Sequence, residues 1–189
     1  MNKADKMRIF PGALTELGTF ELTQPVMRIS DPGYNRDVWC SGTVENCKTG
    51  TWETAVFVRD EDQFGDRMGV LAARHAETGP KFSQINRKSN SGKGGWSECP
   101  FEVGVDSGQA GIFDDAHYQD NDIFDTPAKS GYGDAWYNHC CDITFSRLPA
   151  GVLPYGVVSS SGFGDGGYYA MQHTDADGKI DGIYVVFDE

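Results

Sequence analysis

The sequence predicts an α+β domain, predominantly antiparallel β, arranged as a sandwich or partly closed barrel with one main helix near 134–146. Three observations carry that expectation. The stretch GTWETAVFVRD (50–60) sets Trp52, Thr54, Val56 and Val58 on one side, with Glu53 and Arg59 on the other, the period-two pattern of a half-buried strand. Glycine supplies 24 of 189 residues without a Gly-x-y period, which implies many tight turns and so many short strands. Only DAWYNHCCDITFS (134–146) reads as a helix: Asp134 can cap it, and Trp136, Tyr137, Cys140, Cys141 and Thr144 share a face.

In chain order, FELTQPVMRISDPGY (20–34) reads as a strand interrupted by Pro25 and ended by the Asp31-Pro32-Gly33 turn. Residues 50–60 and MGVLAARHA (68–76) form a hairpin around DEDQFGDR. Residues 77–98 are polar, glycine- and serine-rich and locally basic (Lys81, Arg87, Lys88, Lys93), the composition of a mobile loop. PFEVGVDSGQAGIFD (100–114) gives a strand, a glycine-flanked turn and a second apolar segment, followed by an acidic loop. The C-terminal third returns to strands, with a hairpin around Asp177-Gly178. No period of about 20–50 residues repeats, and 1–189 reads as a single domain, long enough to bury a core unaided.

Composition limits the partners. A formal charge of −12 and a pI near 4.6 repel nucleic acid and anionic membranes, so neither direct nucleic-acid binding nor membrane association is expected. The field suits a basic partner or a divalent cation. Cys40, Cys47, Cys99, Cys140 and Cys141 are odd in number and two are adjacent, poor geometry for a disulfide framework. The opening MNKADKMRIFPG has no apolar signal-peptide core, and no run approaches the ~18 apolar residues of a membrane helix. These features predict a cytoplasmic protein.

Several motifs invite chemistry. The Asp-Ser-Gly at 106–108 matches the aspartic-protease triplet, yet a single copy would need a symmetric dimer to pair two carboxylates. As a turn, the same letters are explained by Asp106 and Ser107 bonding nearby backbone donors and by Gly104, Gly108 and Gly111 allowing tight geometry. HTDADGKIDG (173–182) resembles a calcium loop but puts His173 and Tyr184 where ligands belong, so a hairpin turn accounts for it better. The aspartates at 114, 115, 120, 122 and 125 make a candidate Ca²⁺ or Mg²⁺ site or a solvated loop. NHCCD (138–142) lacks zinc-site spacing, and a cysteine nucleophile served by His75, His117 or His173 has no motif behind it. SSSGFGDGGYY (159–169) is a second glycine-rich box without the Gly-Lys-Ser/Thr of a P-loop.

ISDPGY, GTWETAV, FEVGVDSGQAGIFD, WYNHCCDIT and GVVSSSGFGDGGYYAMQHTDADGKIDGIYVVF resemble successive blocks of an uncharacterised bacterial and phage family. Its hallmarks are a GVDSGxAGIFD box and a C-terminal SGxGDGGY box followed by an Asp-x-Asp-Gly hairpin. The resemblance covers most of 29–187 and implies a compact β-rich intracellular domain with an accessory or host-interaction role, such as immunity or anti-defence. It implies no catalytic residue or cofactor. The leading expectation is a non-enzymatic binding protein that engages a host protein or sequesters a small ligand. Its pocket would form where the two glycine boxes converge, with Asp106, Ser107, Gln109, Ser161 and Asp165 at the rim and Trp136 or Tyr168 as an aromatic wall. The alternatives are an acid- or metal-assisted hydrolase using Asp106 and Asp165 or the 114–125 aspartates, and a structural assembly protein. The sequence alone does not decide whether the chain is an enzyme.

Overall fold

The computed structural model describes residues 13–85 and 95–187. These form eleven strands and one α-helix: β1 (Ala13–Leu22), β2 (Val26–Ser30), β3 (Gly42–Glu45), β4 (Gly50–Asp60), β5 (Asp66–His75), β6 (Gly95–Val105), β7 (Gln109–Asp114), α1 (Ala135–Thr144), β8 (Ala150–Leu153), β9 (Gly156–Ser160), β10 (Gly166–Thr174) and β11 (Ile180–Val186). A six-stranded sheet runs β1-β4-β5-β11-β10-β6 and a five-stranded sheet runs β3-β2-β7-β9-β8. Every pair of neighbouring strands is antiparallel. The mixed α+β fold with mainly antiparallel sheet and one main helix is therefore what the sequence predicts, in its sandwich form.

The two sheets close on one shared core. Trp52, Val56, Leu71, Ile183 and Val185 from the first sheet face Met27, Ile29, Ile112 and Val157 from the second. Full burial of each such aliphatic side chain contributes roughly 1.5–3 kcal/mol. Both outer faces are covered as well. Phe82 and Ile85 pack over Phe57, Val70, Trp96 and Tyr184 of the first sheet. The helix lays Trp136 and Cys140 over Phe113, Leu153 and Val158 of the second. This double covering explains β11, IDGIYVV, which is buried at every position instead of alternating.

The β4–β5 hairpin forms as expected, but its turn is shorter than DEDQFGDR: β5 already begins at Asp66, which pairs with Asp60. At Pro25 the structure departs from a single interrupted strand: β1 and β2 lie in different sheets, and the chain crosses between them at Thr23–Pro25. The segment predicted as a loop, 77–98, holds regular structure at both ends. A 3₁₀ turn spans Phe82–Gln84, and β6 begins at Gly95; residues 86–94 lie outside the described residues. The apolar Phe82 and Ile85 were the signal that this stretch covers a sheet face. Edge strand β6 carries Pro100 where its register against β10 shifts between Tyr169 and Met171. A missing N–H at an irregular edge opposes pairing with another chain. Among the described residues no helix is long and apolar enough to cross a membrane.

Candidate functional site

The two glycine boxes are crossing turns at one end of the sandwich. Residues 106–108 carry the chain from β6 in the first sheet to β7 in the second, and 161–165 carry it back from β9 to β10. They lie side by side, with Gln109 opposite Ser160 and the Ser161 N–H donating to the Gly108 carbonyl at 3.0 Å. Gly108 has φ +70°, the left-handed region that suits glycine. Gly104 packs so tightly on the β2–β3 loop that a Cβ there would sit 2.4 Å from Cys40 Sγ.

The group that organises this end is Asp31, 1% exposed. Its carboxylate accepts the N–H groups of Gly33 (2.8 Å), Asp106 (2.9 Å) and Ser107 (2.7 Å), and the Ser107 hydroxyl (2.7 Å). Sequence reasoning gave Asp106 and Ser107 local Asx-type bonds. Instead their backbone donors go to a carboxylate 75 residues earlier, which frees the Asp106 side chain. That side chain is exposed and meets the Tyr34 hydroxyl; burial, reinforced by Asp106 and Cys40, pushes the Tyr34 phenol up.

Around this anchor lies a cleft of about 440 Å³, walled by the Asp31–Asn35 turn, Asp106, Ser107, Gln119 and the helix entry at Gly133, Asp134 and Tyr137. The helix reaches it by an ordinary cap: the Asp134 carboxylate accepts the Tyr137 N–H at 2.9 Å. Tyr137 bonds Ser107 and Cys141, and its own phenol is pushed up chiefly by burial. A second cleft of about 300 Å³ shares Tyr34 and Asp106 and opens toward Trp39, Glu102 and Gly166.

Of the residues expected at a pocket, Asp106 and Ser107 line the first cleft. The others do not. Gln109 is buried beneath it, its Nε2 3.6 Å from Cys141 Sγ. Ser161 is buried and donates to the Gly164 carbonyl at 2.8 Å, closing its own turn. Tyr168 caps the same turn, with its hydroxyl 2.9 Å from the Ser161 carbonyl and 2.7 Å from that of Gly164. Asp165 is exposed on that turn but lines neither cleft. Trp136 is 1% exposed, with Nε1 3.3 Å from the Pro32 carbonyl; it supports the cleft floor from inside the core. Tyr34, Tyr137 and Trp39 supply the accessible aromatic surface instead.

The acidic loop separates into individual structural roles. Asp114 is buried and accepts the Thr23 N–H and hydroxyl, both at 2.6 Å, and the Ala116 N–H at 2.9 Å. Asp115 pairs with Arg28 (2.7 Å) and Arg36 (2.8 Å). Asp120 accepts the Asp122 N–H at 2.9 Å. Among the described residues no group of three His, Cys, Asp or Glu side chains is arranged to hold a metal ion. The calcium-like HTDADGKIDG stretch is the β10–β11 hairpin. There Asp175 binds the backbone of Asp177 and Lys179, and the adjacent Lys48 ammonium, 2.6 Å away, draws its carboxyl below the usual range.

All five cysteines are free and buried. Burial pushes the Cys47 and Cys99 thiols up to about 12 and Cys140 well above its ordinary value. Protonated, enclosed thiols are poor nucleophiles. Native protein is accordingly expected to react with a thiol-specific reagent such as DTNB only slowly, and to label fully once denatured. Rapid labelling of one native thiol would identify a reactive cysteine.

A larger cleft of about 900 Å³ lies at the other end, lined by Lys48, His75, Thr78 and Lys179 among others. Its histidine and its lysines are already engaged. His75 Nε2 donates to the Thr49 carbonyl (3.2 Å), which leaves Nδ1 to accept the Thr78 hydroxyl (3.2 Å). Lys48 pairs with Asp175, and Lys179 donates to Asn46 at 2.6 Å. Nearby, His173 Nδ1 lies 2.6 Å from the fully buried Asp181, a pairing the sequence reading did not anticipate. No protein-family model, no curated protein and no solved structure matches this chain.

Proposed function

We propose that this chain is a non-enzymatic binding protein and that its ligand seats in the cleft between the Asp31 turn, the Asp106 turn and the start of the helix. One observation carries the proposal. The Asp-Ser-Gly turn is locked from beneath by Asp31, so the Asp106 carboxylate is presented on a rigid frame at an open cleft. Preorganised polar groups in a concave, partly aromatic site are what recognition requires. Hydrolysis is less well supported. Ser107 spends its proton on a carboxylate already accepting three backbone N–H groups, and the cleft lining includes no histidine to serve as base. The five free thiols support operation in a reducing compartment, and the resemblance of the two boxes supports an accessory role toward a host protein.

The test is native mass spectrometry of the purified protein before and after incubation with a cytoplasmic extract, run beside Asp106→Asn. The wild type is expected to acquire a ligand or partner mass, and the variant to lose it while its melting temperature stays nearly unchanged, since an exposed substitution is typically worth within about 0.5 kcal/mol. Capture indifferent to Asp106→Asn, or a hydrolytic activity abolished by it in a folded variant, overturns the proposal.

A further inference from the structure

We propose that this end of the sandwich docks an arginine-bearing segment of a partner protein, with a guanidinium entering the cleft at Asp106 and Asp134 and the adjoining chain lying against Trp39. The inference rests on the binding function proposed above and names the chemistry of the partner.

Charge is the first support. Asp106 and Asp134 line one cleft, Asp106 and Glu102 the other, and neither lining includes a lysine or arginine. Four other acidic side chains are paired with a cation within the described residues: Asp115 with Arg28 and Arg36, Asp175 with Lys48, Glu61 with Arg59, and Glu53 with Arg74. The clefts thus concentrate carboxylates with no cation in their linings, on a chain whose net charge of −12 attracts basic partners.

Exposed aromatic surface is the second. Trp39, at the second cleft, is 82% exposed. Phe64 and Phe163 are also exposed, on turns leaving the same end of the first sheet, and they meet edge to face at 6.0 Å. Large exposed aromatics beside a polar cleft mark an interaction surface. A guanidinium satisfies both features at once, because it stacks on aromatic faces and presents a planar fork of donors to carboxylates. The protein uses this pairing internally. Arg28 and Arg36 bond Asp115 while their guanidinium carbons lie 5.2 and 5.6 Å from the centre of the Tyr118 ring, and Arg67 lies 5.7 Å over Phe163. An ammonium offers the charge without the planar fork, so arginine is favoured over lysine.

The experiment titrates the protein with acetyl-Gly-Arg-Gly-Arg-Gly-amide and with the matching lysine peptide at low salt, following tryptophan fluorescence and backbone amide chemical shifts. Saturable shifts are expected at 31–40, 102–108 and 133–137, with the arginine peptide bound about fivefold or more tighter than the lysine peptide. Trp39→Ala and Asp106→Asn should each weaken it about tenfold, while Asp122→Asn, an exposed acid on another turn, changes it less than about twofold. Equal affinity for both peptides, shifts spread over the whole acidic surface, or indifference to the two cleft substitutions overturns the inference. If extract capture depends on Asp106 but the arginine peptide does not bind, the binding function stands and the arginine assignment falls. If neither depends on Asp106, both fall. Circular dichroism and melting of each variant confirm that a loss is not a loss of fold.

Discussion

Asp31→Ala is expected to destabilise the protein by about 3–5 kcal/mol, because it strips a buried charged acceptor from four donors at once. Those donors, the N–H groups of Gly33, Asp106 and Ser107 and the Ser107 hydroxyl, would remain beneath the crossing turn without their partner. For a domain of this size the loss corresponds to a fall in melting temperature of roughly 6–20 °C. Asp31→Asn should do nearly as badly, since its NH₂ would face converging donors. Thermal melts of Asp31→Ala and Asp106→Asn together separate the frame from the recognition group: the first should lose stability, the second should lose binding. If instead Asp106→Asn melted early and Asp31→Ala did not, the roles assigned to these two carboxylates would be reversed.

Trp136→Ala is the other large effect. The indole is enclosed by Phe113, Tyr118 and Phe124, with ring centres 5.1, 5.5 and 6.4 Å away, and removing a buried tryptophan costs about 3–5 kcal/mol. The cavity would open beneath Pro32, so the cleft should loosen along with the fold. Trp39→Ala supplies the contrast. That side chain stands in solvent, and its truncation should leave the melting temperature within a degree or two while weakening binding. Denaturant melts of the pair decide the matter: equal stability losses would mean that Trp39 packs in the core or that Trp136 does not.

What the sequence disclosed was local. The strand at 50–60, the cap at Asp134 and the turn at Asp177-Gly178 depend on neighbours in the chain, and each appears in the structure. The strand is not half-buried as its alternation implied, because Phe82 and Ile85 cover the outer face and Thr54–Phe57 are buried in succession. What stayed hidden was long-range. Nothing near Asp106 reveals that its turn is held by Asp31, and nothing in WYNHCCDIT distinguishes an aromatic wall from an aromatic plug, because a helix face of Trp, Tyr and Cys suits both. The sequence also bunched the acidic-loop aspartates into one candidate ion site. The fold disperses them, because Thr23, Arg28 and Arg36 arrive from a distant segment to claim Asp114 and Asp115. Conversely, Trp39 stands among Asn35, Arg36, Asp37 and Val38, a loop composition that could equally have tucked an indole inward.

The position of β11 bears on how the molecule is made. This strand follows every other in chain order, yet it lies between β5 and β10 in the interior of the larger sheet, pairing Val186 with Val70 and Tyr169. A ribosome delivers β1, β4 and β5 long before the strand that joins them to β10 and β6. Until residues 180–186 are in place, β5 and β10 each have an open inner edge. Closure is then a late, non-local event of the kind that takes milliseconds to seconds, during which those edges are exposed to chaperones and to one another.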